Sequence, residues 1–358
     1  HSISRLWKQS SGLMARSVTQ NAGDHGEHYI TRDKKEYWAM FYSAAGGGVL
    51  IALMALFKTY LGSIIDDKVW KGIAEGLNYG LGFMVIFMLH FTVATKQPAM
   101  TAARFAEAVE KTPQGKTVNM KLAQLLVDVF RSQSIAVLGN VLIAMGLAAL
   151  IAFGYQYKTG EPLMNADQIA YQLHSIDPFA GTLWFAAIAG VWLFCSGIIS
   201  GYFDNRSNYL NMRMRLTQHP LLKKLMSEKS RVKFANYMHE NYGSLIGNLC
   251  FGMLLGITGV VGYLTHLPLD IRHVAFSSAN VGYIAVSGQF TYSLLLQCIG
   301  FVLLIGLVNL IVSFSLTLWV ALRSLNAEID SWWPIWHEVC QIVKKRPLSL
   351  FLPVQLDK

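Results

Sequence analysis

Six stretches of the chain contain no Asp, Glu, Lys or Arg: residues 37–57, 76–95, 132–157, 178–203, 241–269 and 273–322. A bilayer core about 30 Å thick takes roughly 20 helical residues, so each of the first five can cross once. The sixth is long enough for one crossing plus a further element. Backbone N–H and C=O groups find no water in lipid, so the crossings must be helices. The short alternating segments of a β-barrel are absent. The pattern predicts an all-α polytopic membrane protein with transmembrane helices at 37–62, 76–95, 134–157, 178–203, 243–265 and 291–322. Residues 1–36 then form a basic N-terminal segment, 37–325 the membrane domain and 326–358 a tail.

Three of these helices begin alike. Gly47-Gly48-Val49-Leu50-Ile51-Ala52-Leu53 aligns with Gly139-Asn140-Val141-Leu142-Ile143-Ala144-Met145 and with Gly247-Asn248-Leu249-Cys250-Phe251-Gly252-Met253. Each is followed by a short loop, a second apolar span and a polar stretch. The expectation is three repeated parallel hairpins, trailed by amphipathic helices near 98–133, 206–240 and 325–345. Small residues let membrane helices approach closely, so these glycines should mark helix seams. Asn140 and Asn248 should hydrogen-bond across them.

Composition agrees with a membrane protein: 53% of residues are hydrophobic and 14% charged, against about 25% charged in soluble domains. Charge adds orientation. Lys and Arg are dense up to residue 36, over 96–131, over 206–233 and after Arg323. They are sparse in the alternate loops, which hold Lys58, Lys68 and Lys71, then Lys158, then Arg272. Basic residues favour the cytoplasmic side. Both termini are therefore expected in the cytoplasm, and the chain in a bacterial inner membrane. The basic face should attract anionic phospholipids, at about 1 kcal/mol per residue near the surface. A homo-oligomer or a larger membrane complex is compatible with the sequence. The chain opens on His1 with no signal peptide ahead of Glu36, so a longer gene product is expected.

Ionisable and polar groups inside a membrane are functional candidates. One set lies at the cytoplasmic ends of the second and fourth helices: His90, Thr95 and Lys96, with Asp204, Asn205 and Arg206. Together they would line a vestibule; alternatively Lys96 snorkels, His90 stays neutral and Asp204 and Arg206 cap helix ends. A second set, Asp270, Arg272, Ser277, Ser278 and Asn280, lies where hydroxyl, small and apolar residues mix without further charge. That stretch suits a re-entrant half-helix with an outer site. The alternative is an ordinary loop with Asp270 paired to Arg272. The run Asp24-His25-Gly26-Glu27-His28 has metal-binding residue types but no second cluster to close a coordination sphere, so no metal or other cofactor is expected. Cys195, Cys250, Cys298 and Cys340 form no CxxC pair and read as small apolar residues. Trp332, Trp333 and Trp336 fit an interfacial aromatic belt.

Five motifs carry a resemblance: Gly26-Glu27-His28-Tyr29-Ile30, HFTVATKQPAMTAA (90–103), GYFDNRSNY (201–209), LPLDIRHVAFSSANVGY (267–283) and RPLSLFLP (346–353). Together they resemble the bacterial membrane-protein family catalogued as site-specific recombinase, of the gonococcal recombinase type, from about Arg16 to Pro353. The resemblance implies DNA recombination, and members about twice this long with a region ahead of the part seen here. The residues do not supply that chemistry. Recombination needs a Ser or Tyr nucleophile with arginines around the phosphorane. Neither His-x-x-Arg nor Tyr-x-Arg-x-Ser occurs in this chain. Tyr209, Arg213, Arg215 and His219 read instead as a basic amphipathic helix on the membrane surface. Transport or permeation of an ion, solute or lipid, or a scaffold role, is the leading expectation. DNA is not an expected partner of this chain alone.

The topology has a direct check. Accessibility labelling of cysteines placed at Lys121 and Lys224 should report one face of the bilayer for both; opposite faces would overturn the arrangement.

Overall fold

In a computed structural model, residues 30–31, 33–94, 98–110, 116–288, 290–325, 327, 329 and 331–353 are described. Their regular structure is helical: α1 (Lys34–Ile64), α2 (Lys68–Met88), α3 (Pro98–Glu110), α4 (Lys116–Thr159), α5 (Ala166–Ile176), α6 (Thr182–Tyr209), α7 (Met212–Gln218), α8 (Pro220–Leu225), α9 (Glu228–Thr265), α10 (Val274–Ala285), α11 (Tyr292–Leu325) and α12 (Trp333–Lys345), with 3₁₀ turns at Pro178–Ala180 and Pro347–Leu350. Starts are set by side chains that accept orphan backbone N–H groups. Asp33 accepts from Glu36 N, Asp67 from Val69 N and Trp70 N, and Ser227 from Ser230 N. Asn165 and Gln168 form a reciprocal capping box on α5.

Among the described residues, five helices are long and apolar enough to cross a membrane: α1, α4, α6, α9 and α11. The second predicted span differs from expectation. Its helix covers Lys68–Met88 rather than 76–95, so Lys68, Lys71 and Glu75 enter its first two turns. The chain then leaves the helix at Leu89, and His90 takes a left-handed conformation with φ 57°. The stretch 116–133 is likewise no separate amphipathic helix; it is the beginning of the 44-residue α4.

The helices close into a ring in which α1 packs on α4, α4 on α10, α10 on α11, α11 on α6, α6 on α9, α9 on α2, and α2 back on α1. The main neighbours thus come from different predicted hairpins. Glycines set the spacing. Gly72, Gly76 and Gly80 recur every four residues on one face of α2, against Gly252 and Gly256 of α9. A β-carbon on Gly252 would overlap the Gly80 backbone, and one on Gly256 the Gly76 backbone. Gly48 and Gly139 bring α1 and α4 together, and Gly282 seats α10 on Met145 and Ala148 of α4. Lipid offers no hydrophobic drive between helices, so such backbone proximity supplies the attraction. Gly47, Gly139 and Gly247, aligned in the sequence, all stand at seams, facing Thr92 and Asn140, Phe41 and Ala44, and Ser196 and Ser200.

α10 has 12 residues, about 18 Å, too short to cross. It runs antiparallel to α11: Val274 meets Gly306, and Val281 packs with Cys298 and Val302. Its N-terminus therefore lies roughly 20 Å along α11 from that helix's start, at 1.5 Å per residue. The segment before it descends beside α9, with Leu269 at Gly262, Asp270 facing Gly259, and the His273 ring 5.9 Å from that of Phe251. Val274 through Ser278 are buried, as are Val281 through Ile284.

At the opposite end a satellite core joins Phe105 and Ala106 of α3, Leu122 and Val127 of α4, Leu318 of α11, and Ile335 and Val339 of α12. Trp332 stacks on Phe105 with 6.0 Å between ring centres, and Trp332, Trp333 and Trp336 are all exposed. Buried Arg131 ties Thr31 and the turn at Pro347–Leu350 to α4, donating to Thr31 O at 2.6 Å and Ser349 O at 3.4 Å beside Asp128 at 2.9 Å.

The seam gives a test. Gly252→Leu should cost about 1–3 kcal/mol or more by overpacking, read as thermal unfolding in micelles. Gly146→Ala, at a position with nothing within 4 Å of the new β-carbon, should stay within about 0.5 kcal/mol.

Candidate functional site

The descending segment and α10 form one wall of an open cavity of about 680 Å³, bordered also by α1, α2, α5 and α9. Its lining is charged. Lys58, Lys68, Lys71 and Arg272 meet Glu75, Asp167 and Asp270. Lys68, Lys71 and Glu75, in the first turns of α2, all face this space.

Two ion pairs stiffen the walls. Lys58 Nζ lies 3.6 Å from Glu75 Oε2 and 5.7 Å from the centre of the Tyr79 ring. Arg272 donates to Asp270 at 2.6 Å, to Ser175 O at 2.7 Å and to Ile271 O at 2.7 Å, and lies 5.3 Å over Phe185. Arg272 therefore fastens the segment to α5 and α6. Beneath it, His273 sits edge-on among Phe83, Phe251 and Phe276, and Phe276 packs on Tyr79 with ring centres 4.5 Å apart.

Asn309 of α11 holds the start of α10. Its Oδ1 accepts Val274 N at 3.1 Å, while its Nδ2 donates to Ala186 O at 2.7 Å and Arg272 O at 3.0 Å. Tyr283 OH reaches Ala52 O at 2.8 Å from the other end. Asn140 plays the matching part at the break after α2: it accepts from Ala94 N at 2.6 Å and donates to Ala44 O and Thr92 O.

Of the predicted outer set, Asp270, Arg272, Ser277 and Asn280 line the cavity. Ser278 faces elsewhere, buried, with its hydroxyl on Ala275 O at 2.7 Å. Asp270 and Arg272 are paired with each other and both line the cavity. In the other set, exposed His90 gives its carbonyl to Ser43 Oγ at 3.0 Å. Asp204 accepts Gly243 N at 2.8 Å, which fastens α6 to α9, and Asn205 and exposed Arg206 follow it on α6. Thr95 and Lys96 lie outside the described residues, as does the run 24–28. Among the described residues no group of three or more His, Cys, Asp or Glu could hold a metal, and the four cysteines are free.

Lys58, Glu75, Tyr79 and Asn309 were not singled out from the sequence. A signal existed for the first two: one lysine and one glutamate bordering apolar tracts at the same end of a predicted hairpin.

A family model described as site-specific recombinase matches residues 1–353. The chain belongs to that family. No curated protein matches it, and no solved structure does. One motif that carries the family resemblance, LPLDIRHVAFSSANVGY at 267–283, is the stretch that builds the cavity wall and α10. Of the residues nearest to a recombinase set, Tyr209 is 89% exposed and Arg213 pairs with Glu240 at 3.4 Å.

Asn309→Ala strips the acceptor from Val274 N. The orphaned group should cost about 1–3 kcal/mol, lowering the unfolding temperature in micelles. Asn280→Ala, at a half-buried cavity position, should change stability by less than about 0.5 kcal/mol.

Proposed function

We propose that this family member is a multi-pass inner-membrane protein with both termini in the cytoplasm, and that it binds a small polar solute or ion in the charged cavity as part of transport or permeation. In this reading α2 is a sixth crossing. Its 21 residues span about 31 Å, and glycines hold it along α9. The segment 266–285 is then a re-entrant unit, extended inwards and helical outwards, which lipid tolerates only where protein or a wet cavity covers it. The repeated glycine starts fit three related units whose interfaces enclose the site, a common plan in transporters.

The observation that carries the reading is the lining: a space within the usual small-molecule range of about 300–1,000 Å³, walled by four cations and three carboxylates inside an otherwise apolar bundle. Those charges favour a polar solute over an acyl chain. A scaffold alone would have no use for the space. The scarcity of basic residues in the loops beside the cavity favours a mouth on the outer side, with the basic ends toward the cytoplasm and its anionic lipids.

Family membership favours a second reading, recombination of DNA at the membrane. Phosphoryl chemistry takes preorganised, water-excluded donors, and exposed Tyr209 with ion-paired Arg213 is a poor match. Strand transfer by the full chain, lost in Tyr209→Phe, would support it.

The primary reading is tested by swelling of liposomes that contain the full chain, in a panel of small charged and zwitterionic solutes. At least one solute class should enter faster than in protein-free vesicles. Gly259→Trp, which fills the cavity from α9, should abolish that entry without lowering the unfolding temperature. Solute entry unchanged by Gly259→Trp, or no entry and no binding of any class, would overturn the reading.

A further inference from the structure

The cavity's charges are not all used within the protein. Lys58 is engaged by Glu75 and Arg272 by Asp270. At the rim, half-buried Lys71 and exposed Lys68 have no carboxylate within ion-pair distance among the described residues. Lys68 instead lies 4.2 Å over the Tyr263 ring. Asp167, exposed at the same rim, likewise has no cation in reach among the described residues. Two uncommitted cations therefore face one uncommitted carboxylate.

Deeper, the balance is again positive. α10 begins at the cavity wall, and a helix N-terminus carries about half a positive charge. Its Val274 N–H is taken by Asn309. One turn further, Ser277 is 5% exposed and lines the cavity, and its hydroxyl has no hydrogen-bond partner among the described residues. That hydroxyl is left to water or a ligand in the cavity. The next cavity-lining position on α10 is Asn280, with a half-buried amide. Lys58 stands over Tyr79, and Tyr79 packs on Phe276, the residue before Ser277. The ammonium is thus one ring away from the first turn of α10. An anion would be drawn by all of these groups; a cation would meet only carboxylates already paired, save Asp167.

We propose that the cavity binds its solute through an oxyanion, a carboxylate or phosphate, seated against Ser277 and the first turn of α10 near Lys58 and drawn in by Lys68 and Lys71 at the rim. The proposal rests on the solute-binding reading above and adds the ligand's class. It assigns Ser277 as a ligand contact and the two rim lysines as steering groups.

Thiol chemistry at the site separates the two claims. The full chain with Ser277→Cys, and separately with Asn280→Cys, is reconstituted in phosphatidylcholine vesicles. It is then treated with methanethiosulfonate reagents ending in sulfonate or in trimethylammonium, and modification is followed by peptide mass spectrometry to exclude native Cys340. Relative to a free thiol in solution, the sulfonate reagent should react about tenfold faster than the cationic one, as expected of a focused positive field. Lys68→Glu with Lys71→Glu should erase or reverse that preference. Inorganic phosphate, or phosphatidylglycerol in the vesicles, should slow the reaction; protection by the first alone assigns a free anion, by the second alone a lipid headgroup. Protection by neither, or equal or cation-favoured rates, would overturn the oxyanion while leaving a solute cavity. No reaction with either reagent at both positions would overturn the cavity reading itself.

Discussion

A backbone polar group buried away from water must find a partner inside the protein, and among the described residues two breaks between helices, at 92–94 and 272–274, pack against the bundle. Each break is held by one asparagine from a neighbouring helix. Asn140 serves the chain at 92–94 after α2, and Asn309 serves the chain at 272–274 before α10. In both cases the amide oxygen takes a backbone N–H while the amide nitrogen donates to two carbonyls, which nearly exhausts its capacity. Without Asn309 the buried first turn of α10 would carry an unsatisfied group. The short helix, the segment leading to it and the cavity wall all depend on that satisfaction.

Glycine seams provide the complementary condition. Because α2 and α9 touch at backbone distance along Gly76–Gly256 and Gly80–Gly252, their packing is fixed where they meet. α2 also carries Lys68, Lys71 and Glu75 at the cavity end, so close packing and polar lining are two parts of one helix. The aromatic group of Tyr79, Phe83, Phe251 and Phe276 around His273 separates the two regions.

Much of this was legible in the chain, and the exceptions have physical causes. Charge-free runs located the long helices because lipid solvation is a property of whole segments. The mixture of small, hydroxyl and apolar residues after Arg272 suggested a helical element, and the 12-residue α10 lies there. The span 76–95 was misplaced because its charges were read as loop, whereas a cavity allows Lys71 and Glu75 to stand on the helix itself. Partner choice was not legible: the aligned glycines mark contacts without saying which helix they meet, and the ring pairs helices from different hairpins. Asn309 looked like one polar residue in an apolar tract, because its role exists only once Val274 and Arg272 are beside it. His90 and Asp204 were read as one vestibule, yet their described hydrogen bonds serve different seams, to Ser43 and to Gly243.

Membership of the site-specific recombinase family and the cavity's chemistry concern different levels: one is descent, the other what this stretch of chain can do. The described residues build an apolar bundle around a charged space, and that is the claim most in need of direct observation. A density map of the full chain in a lipid bilayer would provide it. The account predicts ordered water in a protein-lined cavity reaching from the rim at Lys71 to the start of α10 at Val274. Acyl-chain density between α2 and α10, or side chains closing that space completely, would contradict it.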